Sequence, residues 1–82
     1  KELTIASNIY KYLLNLKFIH KKNNKVLNIL LIKKNLLNLG ASRIDYLENI
    51  NLKNLKKTKY LKKESKIFFA YYIKNIRLID NI

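Results

Sequence analysis

Apolar residues recur every three or four positions along the first half of the chain, and no glycine or proline lies between residues 8 and 39. This spacing predicts an amphipathic helix. The polar run from His20 to Lys25 interrupts the apolar stripe and could hold a turn. We therefore expect one long helix over residues 8–39, with two shorter helices as the alternative. The stripe consists of Ile9, Tyr12, Leu13, Leu16, Ile19, Val26, Leu27, Leu30, Leu31 and Leu37.

The only glycine of the chain, Gly40, marks the end of this helical pattern. Glycine closes helix C-termini because it adopts left-handed conformations without strain. Ser42 and Asp45 follow at the spacing of a reciprocal cap at a helix N-terminus. We expect a corner at these three residues and a second helix, running to about residue 64, that turns back along the first. Its apolar stripe is Ile44, Leu47, Ile50 and Leu55.

The last segment, residues 65–82, fits two interpretations. The aromatic and β-branched run from Ile67 to Ile73 suits a strand. Helix is favoured because Ile73, Ile76 and Ile79 keep a three-residue step. The predicted fold is therefore all-α: an antiparallel two-helix hairpin over residues 1–64 with a short helical or extended tail over residues 65–82, in a single small domain spanning residues 1–82.

The strongly positive net charge of the chain indicates an anionic partner. The chain carries 18 Lys and Arg against 5 acidic residues, a formal net charge of +13. Such an excess opposes compact folding unless an anionic partner neutralises it. The absence of cysteine excludes disulfides and thiolate metal sites. The richest apolar runs have seven residues each, far below the roughly 18 that span a bilayer, so no membrane span is expected.

Candidate catalytic residues are few. The chain has one histidine, His20, and its acidic residues are scattered, with no glycine-rich phosphate loop. Asp45 and Glu48 are explained as charges at a helix start, where they offset the helix dipole. We therefore predict no catalytic residue, no metal site, no cofactor and no small-molecule substrate, so that the protein is not an enzyme.

The clearest functional signal comes from pairs of adjacent lysines at residues 21–22, 33–34, 56–57 and 62–63. They spread positive charge along both predicted helices, and lysine binds phosphate as a point charge without recognising sequence. Structured RNA is preferred to duplex DNA because there is little arginine to recognise guanine. The candidate RNA-binding residues are Lys17, Lys21, Lys22, Lys25, Lys33, Lys34, Arg43, Lys53, Lys56, Lys57, Lys59, Lys62, Lys63 and Arg77.

Three short stretches resemble the large-subunit ribosomal protein twenty-nine family in its organellar form. They are KEL at residues 1–3 with Ser7 after it, LLNLKF at residues 13–18, and SRIDYLENI at residues 42–50. The resemblance implies a structural constituent of the ribosome that binds large-subunit ribosomal RNA. It also implies that residues 65–82 contact neighbouring ribosomal proteins and that the protein is mitochondrial, with plastid or cytoplasm as alternatives.

Other interpretations remain open at this point. The stretch HKKN, residues 20–23, resembles small-subunit ribosomal protein fifteen, while IDYLENINLKN and IKNIRLI resemble pieces of small-subunit ribosomal protein eighteen. A further alternative is a basic subunit of an organellar membrane complex, which would place its helices on anionic lipid or a partner protein.

Overall fold

The protein is a mixed α and β structure, so the all-α prediction is wrong. The computed structural model describes residues 2–23, 26–60 and 64–82. Within them, two helices precede a four-stranded antiparallel sheet with strand order β2-β1-β3-β4. The elements are α1 (Glu2–Asn23), α2 (Ile29–Asn38), β1 (Arg43–Asn51), β2 (Lys56–Lys57), β3 (Ser65–Ile73) and β4 (Ile76–Asn81).

The helical segment is divided, and the prediction of one long helix over residues 8–39 is wrong. Asn28 is the N-terminal cap of α2: its backbone is extended and its Oδ1 accepts from the Leu31 N–H at 3.1 Å. Just before it, the Leu27 N–H donates to the Lys59 carbonyl at 2.8 Å. A cap supplies a partner for an N–H that the helix leaves unpaired, so these two contacts stabilise the start of α2. The alternative of two shorter helices is the one observed.

Gly40 lies at the end of α2, where it has a φ of 123°. Its N–H donates to the Leu37 carbonyl at 3.1 Å, and the Ala41 N–H donates to the Leu36 carbonyl at 3.2 Å. This pair of bonds satisfies carbonyls that the last turn of a helix leaves unpaired. The chain leaves the helix here and enters the sheet.

The predicted second helix, capped by Ser42 and Asp45, is instead strand β1. The Ser42 N–H donates to the Tyr72 carbonyl at 2.8 Å, and Ser42 Oγ donates to the same carbonyl at 3.1 Å. From there β1 pairs with β3 as far as Asn51, with a bulge at Asp45. The aromatic and β-branched run of β3 needs a neighbouring strand to pair its backbone, and β1 supplies it.

Residues 65–82 form β3 and β4, so the favoured helical interpretation of this segment is wrong and the strand interpretation of Ile67–Ile73 is the one observed. In β3 the side chains of Ile67, Phe69, Tyr71 and Ile73 are all buried, two residues apart, as expected for one face of a strand. Strand β3 lies between β1 and β4 in the sheet, and these four side chains belong to the hydrophobic core.

The helices cover one face of the sheet. Ile9 and Leu13 of α1 and Leu36 of α2 are completely buried. They belong to one cluster with Leu47 of β1 and Phe69 of β3. The burial of these apolar side chains is the main favourable contribution to folding in a domain without disulfides.

The buried residue Tyr71 makes the stability of the fold decrease at alkaline pH. Burial, and after it the negative charge of Asp80, raises the pKa of the Tyr71 hydroxyl above its ordinary value. A raised pKa means that folding favours the neutral phenol. This contribution to stability is complete below about pH 10 and is lost as the pH rises through the folded-state pKa. We expect Tyr71→Phe to lose less stability than the wild type between about pH 9 and about pH 11 in urea unfolding.

The exposed Tyr10 provides the control for this prediction, because Tyr10→Phe makes the same chemical change on the surface of α1. The Tyr10→Phe protein should follow the wild-type pH profile. If stability fell with pH equally in Tyr71→Phe and in the wild type, the loss of stability at alkaline pH could not be assigned to Tyr71.

Candidate functional site

A cavity of about 480 Å³ lies between the start of α2 and the outer edge of β1. Its walls come from residues 27, 29 and 33, from residues 45–49 of β1, and from residues 57–59. The volume falls in the range of small-molecule sites. Apolar and charged side chains both line the walls, so the cavity suits a ligand with an aliphatic body and a charged group.

The cavity exists because β2 is short. β2 pairs only with Ile50 and Asn51, and the next contact is the Thr58 N–H, which donates to the Asn49 carbonyl at 3.0 Å. Peptide groups two residues apart in a strand face the same side, so those of Leu47 also face this edge. No described strand covers the edge at that point, and the Leu47 backbone therefore adds a hydrogen-bond donor and an acceptor to the cavity wall.

Asn49 is the most distinctive polar residue of the cavity. Its side chain is inside the fold, with the residue only 3 % exposed. The amide Nδ2 donates to the carbonyl of Thr58 at 3.2 Å and to that of Tyr60 at 2.8 Å, which fixes the orientation of the amide. Its Oδ1 is buried and has no hydrogen-bond partner among the described residues. Leaving such an acceptor unpaired costs about 1–3 kcal/mol.

The electrostatics of the cavity favour an anion. Glu48 forms an ion pair with Lys57 at 2.7 Å, and Asp45 pairs with an arginine outside the cavity. The two remaining lysines, Lys33 and Lys59, have no acidic partner within residues 2–23, 26–60 and 64–82. The N-terminus of α2, next to Ile29, adds the positive end of a helix dipole.

The described part of the chain gives little support for a histidine-based site, a metal site or a membrane span. His20 lies on α1, where its Nδ1 is 3.0 Å from the Leu16 carbonyl. Among the described residues, no three His, Cys, Asp or Glu side chains come together to hold a metal ion. The described helices are also too short or too polar to cross a membrane.

The predicted site residues fall into separate groups. Lys33, Lys57, Lys59 and Asp45 line the cavity. Arg77 donates from Nε and Nη2 to Asp45 Oδ2 at 2.9 and 2.6 Å, and this carboxylate raises the pKa of the arginine.

The remaining predicted residues lie elsewhere. Arg43 places its guanidinium 4.1 Å from the centre of the Tyr72 ring, a cation–π contact. Lys17 lines a small apolar pocket beside Phe18. Lys34, Lys53 and Lys56 are exposed on α2, the loop after β1, and β2. The side chains of Lys21 and Lys22, and the whole of Lys25, Lys62 and Lys63, lie outside the described residues.

Asn49 was missed by the sequence analysis. Its signal is a polar residue at an inward position of a strand, which is visible only once the segment is assigned to β1. Of the four candidates that do meet at the cavity, Lys33, Lys57 and Lys59 were selected for charge alone, and Asp45 was selected as part of a helix corner.

Comparison with known proteins corrects the functional prediction. The family model named Pantoate-beta-alanine ligase matches residues 1–82, and no curated protein and no solved structure matches the chain. This family consists of enzymes, whose small-molecule substrates are pantoate, β-alanine and ATP. The predictions of a non-enzymatic ribosomal protein, of ribosomal RNA and protein partners and of no small-molecule substrate are therefore wrong. The small-subunit and membrane-complex alternatives receive no support either. The chain belongs to the pantoate–β-alanine ligase family.

Proposed function

We propose that this chain takes part in the ATP-dependent joining of pantoate to β-alanine, and that its role is to bind negatively charged substrate groups. The observation that carries the proposal is the family match over all 82 residues. The positive cavity beside β1 supports the second half of the proposal, because it offers cations rather than a catalytic acid and base.

The chemistry of the reaction explains the need for cations. An amide bond forms between the carboxyl carbon of pantoate and the amino nitrogen of β-alanine. The carboxylate oxygen that is displaced leaves bonded to a phosphorus of ATP, which gives up its bond to the rest of the triphosphate. The nitrogen of β-alanine loses two protons as its ammonium group becomes the amide N–H. Pantoate and β-alanine each carry a carboxylate, and ATP carries a triphosphate. Bringing them together concentrates negative charge, which repels unless positive side chains offset it.

The net charge of +13 is explained in the same way. Charge of one sign raises the local concentration of ligands of opposite sign and accelerates their association. Lysine offers a flexible point charge that adapts to carboxylates and phosphates alike. The basic composition thus fits small anionic substrates as well as a polyanion.

Depletion of the chain from its cells tests this proposal. Cells that lack it should stop growing on medium without pantothenate and recover when pantothenate is added. Pantoate and β-alanine supplied together should not restore growth, because the step that joins them is missing. Growth that stops and is not restored by pantothenate would contradict the proposal, as would normal growth without the chain.

A further inference from the structure

We infer that α1 is a docking site for an acidic amphipathic helix of a partner protein, which places apolar side chains along the exposed side of α1 and carboxylates near Lys11 and Lys17. This surface shares no residue with the cavity between α2 and β1, and its use does not depend on the proposed function.

A second row of apolar side chains runs along α1 outside the core. Its members are the exposed residues Leu3, Tyr10, Leu14 and Phe18, and we call them the outer row. Steps of seven and four residues keep them on one side of the helix, because seven residues make almost two full turns. The outer row extends over about 22 Å along the helix axis. Helix α1 therefore presents a long apolar surface to the solvent, besides the side that is buried against the sheet.

The second half of the outer row borders a pocket. A cavity of about 260 Å³ is lined by Leu14, Lys17, Phe18 and Ile82, the residue that follows β4. Ile82 is anchored to the sheet by two backbone hydrogen bonds with Ile67, both of 2.9 Å. The cavity thus lies between a helix and a residue fixed on the sheet. It can hold an apolar side chain from a partner, as the holes of helix–helix interfaces do.

A helix is the form of partner that fits the outer row. The backbone N–H and C=O groups in the middle of α1 are paired within the helix, so an extended segment docked on it would leave its own peptide groups without protein partners. A helix pairs its backbone groups internally and can bury one apolar side. Two helices packed side by side meet at every third or fourth residue, which is close to the spacing of the outer row.

Charge decides which helix can dock. At about 100° per residue, Lys11 and Lys17 lie on opposite sides of the outer row. A docked helix therefore meets a lysine on each flank, and acidic residues beside its apolar side can pair with them across the interface. A second copy of this chain is a poor partner, because each copy carries a formal net charge of +13 and like charges repel. The partner helix is therefore acidic.

An anionic lipid surface fits this side of α1 less well. Helices that lie on such membranes carry mainly Lys and Arg on their polar side. On the polar side of α1, the exposed residues Thr4, Asn8 and Asn15 are uncharged. Hydroxyl and amide groups can donate and accept hydrogen bonds at a protein surface. A partner protein is therefore favoured over a bilayer.

Binding of a synthetic peptide to the full chain tests the docking site. The probe is a helix-forming peptide of about 18 residues, with leucine at every third or fourth position and glutamate on both sides of the leucines. We expect a Kd on the order of 10 μM or below by fluorescence anisotropy. One control peptide has glutamine in place of glutamate, and another has the same composition in an order without an apolar side. Each should bind at least about fivefold more weakly.

Matched variants of the chain locate the binding. Leu14 and Leu31 are 47 % and 52 % exposed, and neither belongs to the hydrophobic core. Leu14→Ala should weaken peptide binding at least about fivefold, because it removes an apolar contact at the cavity, whereas Leu31→Ala should leave the Kd unchanged. Lys11→Gln should weaken binding about two- to threefold. Lys34→Gln changes an exposed lysine of α2 and should have no effect.

Cross-linking in cells identifies the class of the natural partner. A photoreactive phenylalanine replaces Phe18 in one protein, and in a control protein it replaces Leu30, which is exposed on α2. The peptide that is cross-linked only from position 18 should come from a different protein. Its sequence should combine an apolar helical repeat with flanking acidic residues.

Equal binding of the glutamate and glutamine peptides, or equal effects of Leu14→Ala and Leu31→Ala, would overturn the docking site. A cross-link from position 18 to lipid, to nucleic acid or to a second copy of the chain would overturn the choice of partner, as would the lack of any cross-link specific to this position. None of these results bears on the dependence of growth on pantothenate, so the proposed function is tested separately.

Discussion

Replacing Leu36 with alanine is expected to lower the free energy of unfolding by about 2–5 kcal/mol. Leu36 is completely buried where α2 packs against the sheet. The truncation removes apolar contacts and leaves a cavity that the close-packed surroundings fill only in part. Stability is measured by urea or thermal unfolding followed by circular dichroism.

Leu30 is the matched control on the same helix, because it is 81 % exposed. Leu30→Ala makes the same chemical change and should alter stability by less than about 0.5 kcal/mol. The comparison cancels the helix propensities of leucine and alanine. Similar costs for the two variants would contradict the observed orientation of α2 on the sheet.

Replacing Gly40 with alanine is expected to cost about 2–4 kcal/mol, from two sources. The first is backbone strain, since a φ of 123° is rarely adopted by residues with a Cβ. The second is a clash: a Cβ at this position would lie 2.9 Å from Cδ1 and Cγ1 of Ile5 and 3.0 Å from its Cγ2. Overpacking of this kind typically costs about 1–3 kcal/mol.

A double-mutant cycle separates the two sources. Ile5→Ala removes all three of the side-chain atoms that the new Cβ would meet. In that background Gly40→Ala should cost less than in the wild type by about 1–2 kcal/mol, while the backbone strain persists. A Gly40→Ala protein as stable as the wild type would show that the end of α2 does not have the observed conformation.

The helices could be recognised from the sequence, because each buries a single face. The spacing of apolar residues before Leu39 indicates helix, and α1 and α2 lie in that region. The division into two helices depends on pairing of Val26 and Leu27 with residues 59 and 60. That contact is distant in the sequence and leaves no periodic signal.

Strand β1 resembled a helix because of its bulge. Ile44 pairs with Tyr71 and Leu47 pairs with Phe69, so both residues lie on the face of the sheet that the helices cover. The extra residue at Asp45 separates them by three positions rather than two. Ile50 then extends the apparent three-residue step, although it lies on the opposite face, opposite Lys66.

The partner could not be assigned from charge. A surplus of lysine requires negative charge, but a lysine neutralises a phosphate of RNA, a phosphate of ATP and a carboxylate in the same way. Short matches such as LLNLKF carry little information in a chain built largely from leucine, asparagine and lysine. The cavity at Asn49 required the fold, because its walls come from segments far apart in the sequence.

The most direct measurement is pantothenate formation by the natural protein, isolated through an affinity tag on this chain together with any chains that stay bound to it. Labelled β-alanine, pantoate and ATP are supplied at saturating concentrations. We predict labelled pantothenate that forms only when all three substrates and the tagged protein are present. No labelled pantothenate above the untagged control would contradict the assignment of this chain to the ligase reaction.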